Sequence, residues 1–166
     1  QGTCGLEILE QVPDVATVVV PVGGGGLLAG VAAAIKQLKP SVRVIGVEPA
    51  GAPKMSRSLA AGEPVTLDAV SSIADGLMPV RPGDLTFAHA RAFVDHVITI
   101  DDARIARAAL WLFHEAKQAV EPSGAATTAA VLWPAAGGPL DHPPSPVVAV
   151  VSGGNVAPET LAALEK

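Results

Sequence analysis

The stretch Thr17 to Gly30, TVVVPVGGGGLLAG, constrains this chain more than any other. A β-branched run reaches Pro21 and Val22, then Gly23, Gly24, Gly25 and Gly26 follow without a break, and a helical apolar pattern starts at Leu27. The segment reads as strand, glycine turn and helix. Consecutive glycines carry a large conformational-entropy cost, so a folded chain keeps them where side chains cannot fit or where φ must be positive. A bound anion supplies such a reason. The first amides of a helix lack intrahelical partners and sit at the positive end of the macrodipole, so the main chain alone can cradle a phosphate. The plainer alternative is a close turn that packs the helix on the strand. The run is neither G-x-G-x-x-G nor G-x-x-x-x-G-K-[ST], which argues against a dinucleotide or a nucleoside triphosphate.

Around this element the pattern is α/β. A short amphipathic helix over Gln1 to Gln11, with Thr3 placed to cap it, precedes the strand at 17 to 22 and the helix at about 27 to 38. RVIGV at 43 to 47 is a second strand, and its strand–helix–strand order makes it parallel to the first through a right-handed crossover. One helix with Met55 and Leu59 fits between Gly51 and Gly62, and 63 to 90 reads as mixed loop with an Asp75-Gly76 turn. HVITI at 96 to 100 is a third strand, and Asp101 or Asp102 caps a helix over about 103 to 118 whose apolar face takes in Ile105, Ala109, Leu112 and Phe113. Glu121-Pro122 opens an Ala-rich helix, 133 to 146 is loop, VVAVV at 147 to 151 is a fourth, fully apolar strand, and Pro158 opens the last helix. The fold class expected is α/β, a mainly parallel sheet with helices on both faces, as one domain over 1–166. In such sheets ligands sit beyond the carboxyl ends of the strands. The glycine run, Glu48 and Ser152 to Asn155 all lie at such ends.

Composition narrows the classes. The chain of 166 residues is 49% hydrophobic and 16% charged, which is the make-up of a folded core. Its net charge of −5 is diffuse, without a basic stripe, so no nucleic-acid partner is expected, and no apolar run is long enough for a membrane span. The single Cys4 excludes an internal disulfide and fits a reducing compartment. His89, His96, His114 and His142 have no ligand spacing, and Trp111 and Trp133 are expected in the core.

The segments Gln1-Gly2-Thr3, PVGGGGLLAG at 21 to 30, VEP at 47 to 49, IADGL at 73 to 77, EPSGA at 121 to 125 and SGGN at 152 to 155 are weak signals singly. In this order and spacing the sequence resembles the fold type II pyridoxal-phosphate-dependent enzymes (the tryptophan synthase β-like fold), above all their threonine dehydratase and serine racemase branch. The resemblance implies pyridoxal 5'-phosphate as cofactor, an amino-acid substrate, a cytoplasmic homo-oligomer, and elimination of water and then ammonia from L-threonine or L-serine. Racemisation within the same fold, or a non-catalytic phosphate-binding module, are the alternatives. It implies that Gly23, Gly24, Gly25, Gly26 and Leu27 hold the cofactor phosphate. Ser152, with Gly153 and Asn155 of the same turn, meets the ring, the Ser152 hydroxyl facing the pyridine nitrogen. Gly76 lines the substrate-facing side and Glu121 lies near the ring edge. The plainer readings are a helix-capping Ser152, a turn-forming Asp75 and a first-turn charge at Glu121. A hydroxyl does not keep the ring nitrogen protonated as a carboxylate does, which suits loss of an α-proton followed by β-elimination.

Two departures from the family's pattern bear on chemistry. The SFKxRGA-like segment with the Schiff-base lysine and the SSGNH-like substrate loop do not occur, and none of Lys36, Lys39, Lys54, Lys117 and Lys166 has that context. The expectation is therefore the C-terminal portion of a longer enzyme, with no catalytic residue of its own and inactive alone. Second, the branch often holds a divalent ion through a Glu, a carbonyl four residues on and an Asp six residues on. Here these positions are Glu48, Ala52 and Lys54. An ammonium only donates, so no metal is expected; Lys54 either neighbours Glu48 in the cation's stead or points to solvent.

Overall fold

The computed structural model describes residues 1–165; Lys166 lies outside them. Four strands, β1 (Thr17–Pro21), β2 (Arg43–Pro49), β3 (His96–Ile100) and β4 (Val147–Ala149), form one sheet in the order β3-β2-β1-β4. Every pairing is parallel, with Val19 opposite Ile45 and Ala149, and Val47 opposite Ile98. All four carboxyl ends therefore lie on one rim. The helices are α1 (Gly2–Gln11), α2 (Gly26–Leu38), α3 (Lys54–Ala61), α4 (Asp84–Phe93), α5 (Asp102–His114), α6 (Pro122–Leu132) and α7 (Pro158–Leu164).

Alternation along the buried strands sends side chains to opposite faces. Val19, Ile45 and Val47 join α5 and α6 in one core, while Val18, Val20 and Val44 join α1, α2 and α4 in the other. The expected parallel sheet with helices on both faces is thus present. Helix α6 is buried from Pro122 through Ala130, and its Ala, Gly, Ser and Thr side chains suit a helix enclosed on all sides.

Several local expectations need correction. Residues 84–93 form a helix, not loop. Thr3 is inside α1, whose N-cap is Gln1 with no side-chain bond. Asp101 caps α5, accepting from the Arg104 amide, which holds its carboxyl below the usual carboxylate range. That helix stops at His114, and Phe113 is exposed rather than core. Trp111 is exposed too, while Trp133 packs on the core with the Arg107 guanidinium 4.1 Å from its ring centroid. Strand β4 pairs over three residues only and is half-buried, because it is an edge strand. Cys4 packs beside the second core, and burial pushes its thiol up, as filler requires. Among the described residues no helix is long and apolar enough to cross a membrane.

Candidate cofactor site at the carboxyl rim

The four glycines between β1 and α2 divide into two kinds. A Cβ on Gly23 would lie 2.9 Å from the Gly76 carbonyl, and one on Gly25 would lie 2.7 Å from Met55 Cε, at a φ of 93° that side chains resist. Packing excludes side chains at both. Gly24 and Gly26 are exposed, and a Cβ on either would meet nothing within 4 Å. The plainer reading of the run, a tight turn, accounts for the first pair and not the second.

The loop's polar groups divide in the same way. Two of its carbonyls face protein: Gly24 accepts from Thr86 Oγ1 at 2.7 Å and from the Gly83 amide at 3.3 Å, and Gly25 accepts from the Ala29 amide. The amides of Gly23, Gly24, Gly25, Gly26 and Leu27 have no acceptor among the described residues. A row of unpaired donors at a helix start, with open space over two glycines, is a cradle that fits an anionic group such as the phosphate of pyridoxal phosphate. Thr86 and Gly83, which set the loop's orientation, had no sequence signal, since they belong to the unforeseen helix α4.

The other expected residues are reached from this loop by contact. Gly76 packs on Gly23, and its amide donates to Asp75 Oδ1 at 2.7 Å and Ser123 Oγ at 2.9 Å. Asp75 is thus a turn former, with Ser123 as a buried second partner that sequence reasoning missed. Glu121 Oε1 would lie 3.7 Å from a Cβ on Gly76 and 2.5 Å from one on Gly153, whose φ is 99°. The Gly153 carbonyl accepts from the Glu121 amide, tying the turn after β4 to the start of α6. Glu121 is the N-cap residue of α6 but makes no side-chain cap bond, so its carboxylate is available to the cavity. That cavity, of about 110 Å³, is lined by Asp75, Glu121 and Asn155 among others. Ser152 is half-buried, with its backbone against Gly124, and its hydroxyl bonds to none of the described residues. It does not cap α7, whose N-cap is Ala157.

Of the described lysines, Lys36 pairs with Asp95 at 2.8 Å and Lys117 bonds to the His114 carbonyl, both away from the rim. Lys54 is at the rim but buried beneath it. Its ammonium is 3.5 Å from Glu48 Oε2 and donates to the carbonyls of Val22 at 2.6 Å and Leu77 at 2.8 Å. The solvent-pointing alternative for Lys54 is excluded. Burial pushes its pKa below the usual lysine range, against the opposing pull of Glu48. Glu48 in turn accepts from the amides of Met55 and Ser56 and from the Ser56 hydroxyl at the start of α3. The donor set does not fit a divalent cation: where an oxygen ligand would be needed, an ammonium stands.

Comparison with known proteins bears on the family and the fold. The sequence pattern of the family described as pyridoxal-phosphate dependent enzyme matches residues 1–153. An L-threonine ammonia-lyase of Thermotoga maritima is 45% identical over 156 residues, which are 94% of this chain and 38% of that protein. A serine racemase of Oryza sativa subsp. indica is 45% identical over 165 residues, covering 94% of this chain and 46% of that protein. The structure of maize serine racemase superposes with a TM-score of 0.89 at 43% identity, over 98% of this chain and 49% of that one. The chain thus spans less than half the length of each of these relatives.

Proposed function

This chain belongs to the pyridoxal-phosphate dependent enzymes, and we propose that the whole protein carrying it is a threonine or serine ammonia-lyase that releases a 2-oxo acid and ammonia. The observation that carries the reading is the glycine cradle, with five amides that have no acceptor among the described residues and two glycines open to a ligand. Pyridoxal phosphate, when bound, withdraws electrons from the α-carbon of an amino acid.

The chain's own residues bind and orient. The amides of Gly23 to Leu27 hold the phosphate without a cationic side chain, so the loop also leaves the phosphate oxygens able to accept or give a proton. The Gly76 backbone, fixed by Asp75 and Ser123, borders the substrate side. The Ser152 hydroxyl offers a neutral hydrogen bond to the ring nitrogen. Glu121 and Asn155 close the edge between α6 and the turn after β4. None of the described lysines is free at the rim to abstract the α-proton, so in this reading the described residues bind and orient while the whole protein supplies the base.

Racemisation remains the second reading, because a serine racemase matches at the same 45% identity as a threonine ammonia-lyase. Purified whole protein with pyridoxal phosphate is to be given L-threonine and L-serine, and 2-oxobutanoate, pyruvate and D-serine measured. Rapid 2-oxo acid formation is expected. D-serine without 2-oxo acid would replace this reading by the racemase.

A further inference from the structure

We infer that Lys54 is a built-in cation, a positioning residue whose ammonium replaces a divalent ion and fastens the phosphate loop to the turn that walls the substrate side. The inference rests in part on the cofactor reading above. Lys54 is fully buried, yet its ammonium meets groups from three separate segments: it donates to the Val22 and Leu77 carbonyls and lies 3.5 Å from the Glu48 carboxylate.

Each segment matters to the site. Val22 is the residue immediately before Gly23, so its carbonyl sets the plane from which the glycine loop departs. Leu77 ends the Asp75–Leu77 turn and follows Gly76, whose carbonyl abuts Gly23. Glu48 is the penultimate residue of β2 and holds the start of α3, the helix on which Lys54 itself sits. A single charge thereby joins the ends of two neighbouring strands to the turn across them. Carbonyls and a carboxylate are the ligands a hard cation would take, and here they surround an ammonium instead. A lysine delivers the same attraction with no dependence on metal supply, and full burial with two carbonyl partners fixes its otherwise flexible stem here.

The test compares the whole protein with Lys54→Met and Lys54→Asp, each in chelator and in Mg²⁺. Three readouts are taken: melting temperature, amide exchange at residues 22–27 and 75–78 without cofactor, and affinities for pyridoxal phosphate and for pyridoxal. Wild type is expected to be indifferent to chelator and Mg²⁺ in all three. Lys54→Met should exchange faster in both segments and bind pyridoxal phosphate about ten- to hundredfold more weakly, pyridoxal affinity changing less. Lys54→Asp completes an oxygen-only set and should recover melting temperature and exchange protection in Mg²⁺ but not in chelator. If Lys54→Met fails to fold, the Lys54→Asp comparison decides alone. A wild type that loses melting temperature in chelator and regains it with Mg²⁺ overturns the inference. So does a folded Lys54→Met with unchanged exchange, or a Lys54→Asp indifferent to Mg²⁺. Normal exchange responses with no pyridoxal phosphate binding to wild type would instead sink the cofactor reading and leave the clamp standing.

Discussion

Alanine substitution along the glycine run should separate packing from binding. In Gly25→Ala the new Cβ would sit 2.7 Å from Met55 Cε and 3.0 Å from Thr86 Oγ1, at a φ of 93°. The left-handed backbone costs a non-glycine residue about 1–2 kcal/mol. Displacing the fully buried Met55 adds an overpacking penalty of about 1–3 kcal/mol. The expected loss is therefore about 2–5 kcal/mol, a large part of a domain's stability. Gly24→Ala and Gly26→Ala meet no protein atom, and neither glycine is in the left-handed region. Both should lie within about 1 kcal/mol of wild type, tending to stabilise by restricting the unfolded chain. Their methyl groups nevertheless enter the space over the cradle. Loss of one charge-assisted bond is worth about 1.5–3 kcal/mol, so pyridoxal phosphate should bind about ten- to hundredfold more weakly. Urea melts give the stabilities, and titrations with pyridoxal phosphate and pyridoxal give the affinities and their dependence on phosphate. The reasoning is refuted if Gly24→Ala and Gly26→Ala destabilise as much as Gly25→Ala, or if they bind the cofactor as wild type does.

Two further outcomes are expected. Ser152→Ala should change stability by no more than about 0.5 kcal/mol, because the hydroxyl has no partner among the described residues, while turnover by the whole protein falls several-fold; an earlier melt with normal turnover would make Ser152 structural. Asp101→Ala should cost about 1 kcal/mol at neutral pH through loss of the α5 cap. Because the native carboxyl titrates below its unfolded value, that contribution is present above the ordinary Asp pKa of about 3.9 and is lost as pH falls through the lower native one, so wild type and variant should converge in acid. A gap between their urea midpoints that stays constant down to the acid limit would contradict the assignment.

What the sequence made legible, and what it did not, follows from the kind of signal each element carries. The turn from β1 to α2 was readable because runs of valine and glycine have almost no other use. Strands β1 to β3 are apolar runs bounded by breakers, and they came out in place. Helix α4 did not, because Phe87 and Ala90 are its only buried residues and Leu85, which would extend an apolar stripe, is 72% exposed. Periodicity is weak when a helix covers little. The overlong α5 has a different cause: its stop is Lys117 at a φ of 57°, with the Gln118 amide returning to the Leu112 carbonyl. That turn does the work more often given to a glycine, with a residue that carries no such signal. In the site, glycines and turns were visible as local patterns. Ser123 and Thr86 were not, since their roles depend on partners 47 and 62 positions away.

The Glu48–Lys54 pair shows why such long-range groupings need a reason beyond stability. Taking two charges out of water costs several kcal/mol each, and an apolar pair of similar volume often serves a core as well or better. Here the cost is offset by a full set of partners. Glu48 receives two amides and a hydroxyl, Lys54 gives to two carbonyls, and no buried side-chain polar atom is unsatisfied among the described residues. An apolar replacement would strand the Val22 and Leu77 carbonyls and the two α3 amides together, each at about 1–3 kcal/mol. The four groups come from three segments, so no single substitution relieves them. The pair is thus held by its neighbours as much as it holds them, and what it contributes is the fixed distance between the glycine loop after β1 and the Asp75–Leu77 turn.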